Sequence, residues 1–134
     1  MSPALTAQNI SERLKSCMSW ESKSRLLIQL SREIPAFADA DRCEANRVSG
    51  CESQVWLKLA WHDGMLDLAI DSDSRVIKGL LALVYAAYQG RNAQDVRDFD
   101  FDAWLAGMGL TRLLTASRGN GLKAVVTRLR LAAA

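Results

Sequence analysis

Two runs of alternating apolar residues, separated by an Asp-Gly pair, constrain the fold of this 134-residue chain more than any other feature. The apolar residues that share a face are Val55, Leu57, Leu59 and Trp61 in the first run and Leu66, Leu68 and Ile70 in the second. A period of two is typical of a strand, because successive side chains point to opposite faces. Asp63-Gly64 is a dipeptide that two-residue hairpin turns favour. The sequence therefore predicts an antiparallel β-hairpin, with His62 in its turn.

Two amphipathic helices and a long loop are predicted before the hairpin. The first helix shows apolar residues at helical spacing, namely Ile10, Leu14, Cys17 and Met18. Ser19 is a favourable N-cap for the second helix, and Pro35 marks its end because proline cannot continue a helix. The polar stretch 36–52 is predicted to be a loop, with a short edge strand near Arg47-Val48.

Helices are predicted to follow the hairpin as well. The polar residues that can cap them are Asp71 to Ser74, Asn92 and Asp100, and a final helix begins near Ser117. The chain has the length of one ordinary domain, so we place no boundary within residues 1–134. These elements predict a single α+β domain, in which a small antiparallel sheet packs against N-terminal and C-terminal helices.

Charge and hydropathy argue against several classes of function. The net charge is only +2, which favours neither nucleic acid nor a membrane surface as a partner. Residues 101–134 carry five of the 17 basic residues and one of the 15 acidic residues. A solvated helix face explains these basic residues. No aromatic residue lies between Arg112 and Arg130, which weakens a nucleic-acid interpretation further. No apolar run resembles a secretory signal or approaches the length of a membrane helix, so we expect a cytoplasmic protein.

The three cysteines differ in their surroundings. Cys17 lies on the apolar stripe of the first predicted helix and is expected to be a small buried hydrophobic residue. Cys43 lies in the polar loop and is expected to be exposed. Cys51 follows Ser49-Gly50 directly before the first strand, where glycine permits a tight turn and close approach by another molecule. From these residues alone, an ordinary free cysteine at a strand start remains the simpler interpretation.

Two other uses of Cys51 are open at this point. A thiol enzyme holds a base beside its cysteine, but His62, the one histidine, is predicted to lie about 20 Å away along the strand. A metal or iron–sulfur scaffold would use Cys43 and Cys51, which have no Cys-x-x-Cys or Cys-x-x-His pattern around them. The sequence therefore predicts no metal site, and three cysteines favour free thiols in a reducing compartment.

The segment that begins at Ser49 reads Ser49-Gly50-Cys51-Glu52-Ser53-Gln54-Val55-Trp56. With its complete Gly-Cys-x-Ser-x-Val-Trp core, this segment resembles the SufE/CsdE family of sulfur acceptor proteins. Further matching positions follow in the family's order: Asp71-Ser72-Asp73, Val76 to Leu80, Phe99-Asp100, Leu110-Thr111, Leu113 to Thr115, Ser117-Arg118 and Gly121-Leu122. The resemblance extends from about Ile10 to Leu131 and implies a SufE-like fold.

The resemblance implies a sulfur carrier rather than a stand-alone enzyme. It implies that Cys51 accepts the outer sulfur of a persulfide from a cysteine desulfurase of the SufS/CsdA type and stimulates that desulfurase. The sulfur then passes to an iron–sulfur scaffold or to another sulfur-using pathway. The pyridoxal phosphate belongs to the desulfurase, so no cofactor is implied for this chain. Gly50 is the expected flexible point, Arg118 is expected near Cys51 or at the desulfurase, and Ser49, Gln54 and Asp73 are expected to have supporting roles.

Overall fold

Within the described part of the chain, the fold consists of six α-helices and one antiparallel hairpin. The computed structural model describes residues 6–48, 53–110 and 116–133, with the backbone alone for residues 116–121. The helices are α1 (Ala7–Lys15), α2 (Trp20–Ser31), α3 (Arg75–Tyr88), α4 (Ala93–Asp98), α5 (Phe101–Gly107) and α6 (Ala116–Ala133). The strands are β1 (Val55–His62) and β2 (Met65–Ser72). This architecture confirms the predicted α+β class.

The hairpin has the register that its sequence predicts. β1 and β2 pair antiparallel from Val55 opposite Ser72 to His62 opposite Met65. Asp63 and Gly64 have φ angles of 53° and 78°, and positive φ at both central residues is what a type I′ turn requires. His62 is the last residue of β1 rather than part of the turn, which corrects the predicted position by one residue.

Helix α3 lies at the centre of the packing. It contacts α1, α2, α6 and the second strand, and Leu80, Leu83 and Val84 on it are completely buried. Helices α2 and α3 approach closely at Gly79, where an added Cβ atom would lie 2.4 Å from the backbone oxygen of Leu27. The absence of a side chain at this glycine therefore allows the two helices to pack at their observed distance.

Short polar side chains begin the helices at the predicted positions. Ser19 caps α2 and exchanges hydrogen bonds with Ser22 in a capping box. Asn92 and Asp100 cap α4 and α5 by accepting hydrogen bonds of 2.8 Å and 3.0 Å from backbone N–H groups. Ser74 caps α3. Each cap satisfies an N–H group that the first turn of a helix leaves without a partner.

The first helix is shorter than its apolar spacing predicts. It ends at Lys15, so Cys17 and Met18 lie in the connection to α2. Cys17 is only half-buried and Met18 is 93% exposed, which corrects their assignment to the buried stripe. The reason is the cap of the next helix: Ser19 adopts an extended backbone to cap α2, and a continuous helix cannot pass through that conformation.

The predicted loop before the hairpin contains local structure. Two 3₁₀ helices span Asp39–Asp41 and Glu44–Asn46. The predicted edge strand is reduced to one antiparallel bridge between Arg47 and Trp56. In the described ranges, no helix combines the length and the apolar character needed to cross a membrane.

Candidate functional site

The backbone on both sides of the candidate cysteine is fixed by one hydrogen bond. Ser49, Gly50 and Cys51 lie outside the described residues, but the residues on either side of residues 49–52 are described. The N–H of Val48 donates to the carbonyl oxygen of Val55 at 2.8 Å, and both side chains are buried, with 3% and 1% exposed. The described chain on the two sides of residues 49–52 is therefore anchored at neighbouring buried points, at the start of β1.

The next contact joins Gln54 to Asp73. The backbone N–H of Gln54 donates to Oδ1 of Asp73 at 3.1 Å, and the N–H of Asp73 donates to the carbonyl oxygen of Gln54 at 3.3 Å. Both residues were predicted to support the site. Since Ser74 caps α3, the Asp73 carboxylate holds the entry to β1 rather than the start of the helix.

A buried carboxylate, Asp71, lies opposite Trp56 at the start of the hairpin, and the sequence did not identify it as part of the site. The side chain of Asp71 is 5% exposed, and it faces two cations from different elements. Arg42 Nε donates to its Oδ2 at 2.8 Å, and Lys78 Nζ on α3 lies 3.2 Å from its Oδ1. In the sequence, Asp71 stands out only as a possible helix cap and as a residue that matches the family pattern, and neither signal indicates a buried carboxylate beside the site.

The electrostatics of Asp71 follow from these contacts. Burial is the strongest single influence and by itself raises the pKa of the carboxyl group. The hydrogen bonds from Arg42, Lys78 and the backbone of Ser72 act in the opposite direction, and together they hold the pKa of Asp71 below its usual value. The carboxylate is therefore ionised at neutral pH and ties the loop before Cys51 to the hairpin and to α3.

The same loop has further attachments. Arg42 also contacts the carboxylate of Asp39 and lies 5.8 Å from the centroid of the Phe37 ring. Lys58 Nζ on β1 lies 3.3 Å from a carboxylate oxygen of Asp41. At the other end of the loop, Arg128 on α6 donates to the carbonyl oxygen of Arg47 at 3.3 Å. The chain before residue 49 is thus held by the hairpin and by the last helix.

For two residues of the sequence analysis, Arg118 and Cys43, no described side-chain contact links them to the residues around 49–52. Arg118 belongs to the first turns of α6, where the backbone is described and the side chain lies outside the description. Its predicted position near Cys51 therefore stays a prediction. Cys43 is exposed, as predicted.

The position of His62 and the search for metal ligands test the two alternatives, a thiol enzyme and a metal scaffold. His62 lies seven residues beyond Val55 along β1, about 23 Å at 3.3 Å per residue, and its Nε2 is 3.5 Å from Asp67. Across residues 6–48, 53–110 and 116–133, no three His, Cys, Asp or Glu side chains are grouped to hold a metal ion. A site built from Cys43 and Cys51, the alternative given above, falls partly outside those ranges and is not tested by this finding.

Two comparisons place the chain among known proteins. The family model described as "SufE: Fe-S metabolism associated domain" matches residues 8–133. The solution structure of a hypothetical protein from Thermus thermophilus is similar, with a TM-score of 0.76 at 21% sequence identity. The match covers 99% of this chain and 96% of that one. The structural similarity shows a shared fold, and the family match covers nearly every residue described above.

Proposed function

We propose, from the premise that the chain belongs to the SufE family of Fe–S metabolism associated domains, that it is a sulfur acceptor. In this proposal, Cys51 takes a persulfide sulfur from a cysteine desulfurase, stimulates that enzyme, and relays the sulfur towards iron–sulfur cluster assembly. The observation that carries the proposal is the family match across residues 8–133, because that range includes the complete Gly50 to Trp56 motif.

The transfer itself needs one nucleophilic thiol and no bound cofactor on this chain. The thiolate of Cys51 attacks the outer sulfur of the desulfurase persulfide, and a new S–S bond forms on Cys51 as the donor S–S bond breaks. The donor cysteine leaves as a thiolate, so one sulfur atom moves between two cysteines with no net oxidation or reduction. Pyridoxal phosphate acts earlier, in the desulfurase, when the sulfur is removed from free cysteine.

The described geometry supports presentation of a thiol to a large partner. The closing hydrogen bond between Val48 and Val55 and the two bonds between Gln54 and Asp73 fix the backbone on both sides of residues 49–52. Fixed flanking residues reduce the ordering cost when a partner binds next to them, which favours transfer at a residue between them. Arg118 is proposed to contact the desulfurase or the sulfur on Cys51, since its positive charge stabilises a persulfide anion.

Stimulation of a desulfurase tests the proposal. Each cysteine desulfurase of the source organism is assayed for alanine production from free cysteine, with and without this protein. We expect one desulfurase to turn over faster with the wild-type protein and with Cys43→Ser, but not with Cys51→Ser. Equal stimulation by Cys51→Ser would contradict the acceptor role. Purified protein that carries iron or zinc, lost in Cys43→Ser, would instead support the thiol-based metal scaffold.

A further inference from the structure

A cavity of about 510 Å³ lies where the C-terminal ends of α1 and α5 meet the start of α2. The lining residues that matter here are Leu14, Lys15, Cys17, Lys23, Trp104 and Met108. None of them adjoins residues 49–52 along the chain. The volume falls within the range of roughly 300–1,000 Å³ that is typical of small-molecule sites.

Three contacts between elements hold the walls of this cavity. Trp104 Nε1 donates to Oγ of Ser11 at 3.1 Å, and that hydroxyl donates to the sulfur of Met108 at 3.6 Å. Lys23 Nζ donates to the carbonyl oxygen of Met108 at 3.5 Å. Helix α5 is therefore tied to α1 and to α2, and a cavity that exists before binding lowers the ordering cost of a ligand.

The lining combines an apolar surface with uncompensated positive charge. Leu14, Trp104 and Met108 supply apolar contact area, and the indole ring of Trp104 offers an aromatic surface. Lys15 and Lys23 are the charged residues among the described lining, and none of that lining is acidic. Within the described part of the chain, no hydrogen bond or ion pair involves the side chain of Lys15. Its ammonium group is thus available to a ligand.

We propose that this cavity binds a small organic anion with an apolar or aromatic body. The carboxylate of such a ligand pairs with the ammonium groups of Lys15 and Lys23, because charge-assisted hydrogen bonds are the strongest contacts that these lysines make available. The body of the ligand packs against Leu14, Trp104 and Met108 and removes apolar surface from water. This site is separate from the proposed sulfur transfer, and neither depends on the other.

The thiol of Cys17 provides a reporter inside the cavity. It is half-buried, so a bound ligand shields it from iodoacetamide, whereas Cys43 outside the cavity is unaffected. Cleavage after lysine and arginine places the three cysteines in different tryptic peptides, residues 16–23, 43–47 and 48–58. Alkylation of each cysteine is therefore measured separately in the same wild-type sample by mass spectrometry.

The probe is 4-phenylbutyrate, and its uncharged amide is the matched control. From the affinity per atom typical of small ligands, we expect a dissociation constant on the order of 1 mM for the acid. At about 10 mM, the acid then slows Cys17 alkylation about tenfold by mass action, and the amide has little effect. No protection by the acid, or equal protection by the amide, overturns the proposal.

Lysine variants test the origin of the charge preference. Lys15→Gln removes an ammonium group without a described partner, so the fold is retained and binding of the acid weakens about fivefold. Lys123→Gln, on α6 and outside the cavity, is the control and leaves binding unchanged. If the double variant Lys15→Gln/Lys23→Gln binds the acid as well as the wild type does, the two lysines do not hold the carboxylate. That result would also overturn the proposal.

Discussion

Asp71 is a buried carboxylate that two cations from different parts of the chain share. Arg42 precedes Cys51 by nine residues and Lys78 belongs to α3, so the carboxylate connects the loop, the hairpin and the central helix. A buried charge is tolerated only while its partners neutralise and hydrogen-bond it, and removal of one member leaves the others unpaired. We therefore expect both the stability of the fold and the behaviour of Cys51 to depend on Asp71.

The first prediction concerns stability and its pH dependence. Asp71→Asn should lower the free energy of unfolding at pH 7 by about 2 kcal/mol, since it removes hydrogen bonds between charged groups. The pKa of Asp71 is lowered in the folded state, so its contribution is complete above the unfolded value of about 3.9 and is lost as pH falls through the folded value. Urea unfolding should show the gap between wild type and variant narrowing below about pH 4. A gap that is constant with pH would contradict this account.

The second prediction concerns the position of Cys51. Asp71→Asn should slow sulfur transfer to Cys51 about tenfold, because small displacements of a reacting group have large effects on rate. Glu33→Gln is the control: Glu33 follows α2 and forms a two-bond ion pair with Arg13 on α1, at 2.8 Å and 2.7 Å, with no described contact to Asp71 or Arg42. Single-turnover transfer, measured where both variants are folded, should be slow in the first and normal in the second. Equal rates would show that Asp71 has only a structural role.

A third prediction concerns Gly50, which was interpreted as the flexible point beside the thiol. Gly50→Val should slow sulfur transfer several-fold, because a β-branched side chain restricts the backbone and limits close approach by a partner. The unfolding free energy should change little by comparison. Transfer at the wild-type rate would contradict the proposed flexibility.

Among the elements, α2 and α3 form a close helix contact, and it depends on one glycine. Gly79→Ala would place a Cβ atom 2.4 Å from the backbone oxygen of Leu27, and backbone atoms cannot rotate away as a flexible side chain does. We expect a loss of about 3 kcal/mol in the free energy of unfolding, at the upper end of the range for overpacked sites. Chemical denaturation measures this loss.

Gly107→Ala is the matched control for that variant. Gly107 ends α5, and among the described residues no atom outside its own helix lies within 4 Å of the place that an added Cβ atom would take. Alanine has the higher helix propensity, so this change should be neutral or stabilising by up to about 1 kcal/mol. Equal destabilisation by both substitutions would show that helix packing at Gly79 is not the cause.

For the molecule as a whole, local patterns in the sequence predicted the elements that local physics determines. The hairpin register followed from the alternation around Asp63-Gly64, and Ser19, Asn92 and Asp100 cap the helices that they were expected to cap. The predicted end of α1 was wrong, because Ser19 must adopt an extended backbone to cap α2 and apolar spacing does not reveal that requirement.

Contacts between residues far apart in the sequence could not be predicted from local patterns. Arg42 and Asp71 are 29 positions apart, and nothing in the local sequence marks either as the partner of the other. The same holds for Arg128, which reaches the carbonyl oxygen of Arg47 across 81 positions. The family resemblance identified Cys51 as the candidate thiol, whereas the structure identified the contacts that hold the chain around it.

The location of transferred sulfur tests the acceptor role of Cys51. The protein is mixed with its desulfurase and free cysteine and digested without reductant, and the mass of the peptide of residues 48–58 is measured. We expect the added mass of one or more sulfur atoms on this peptide, retained in Cys43→Ser and absent in Cys51→Ser. Sulfur on residues 16–23 or 43–47 instead, or on no peptide with any desulfurase, would show that Cys51 is not the acceptor.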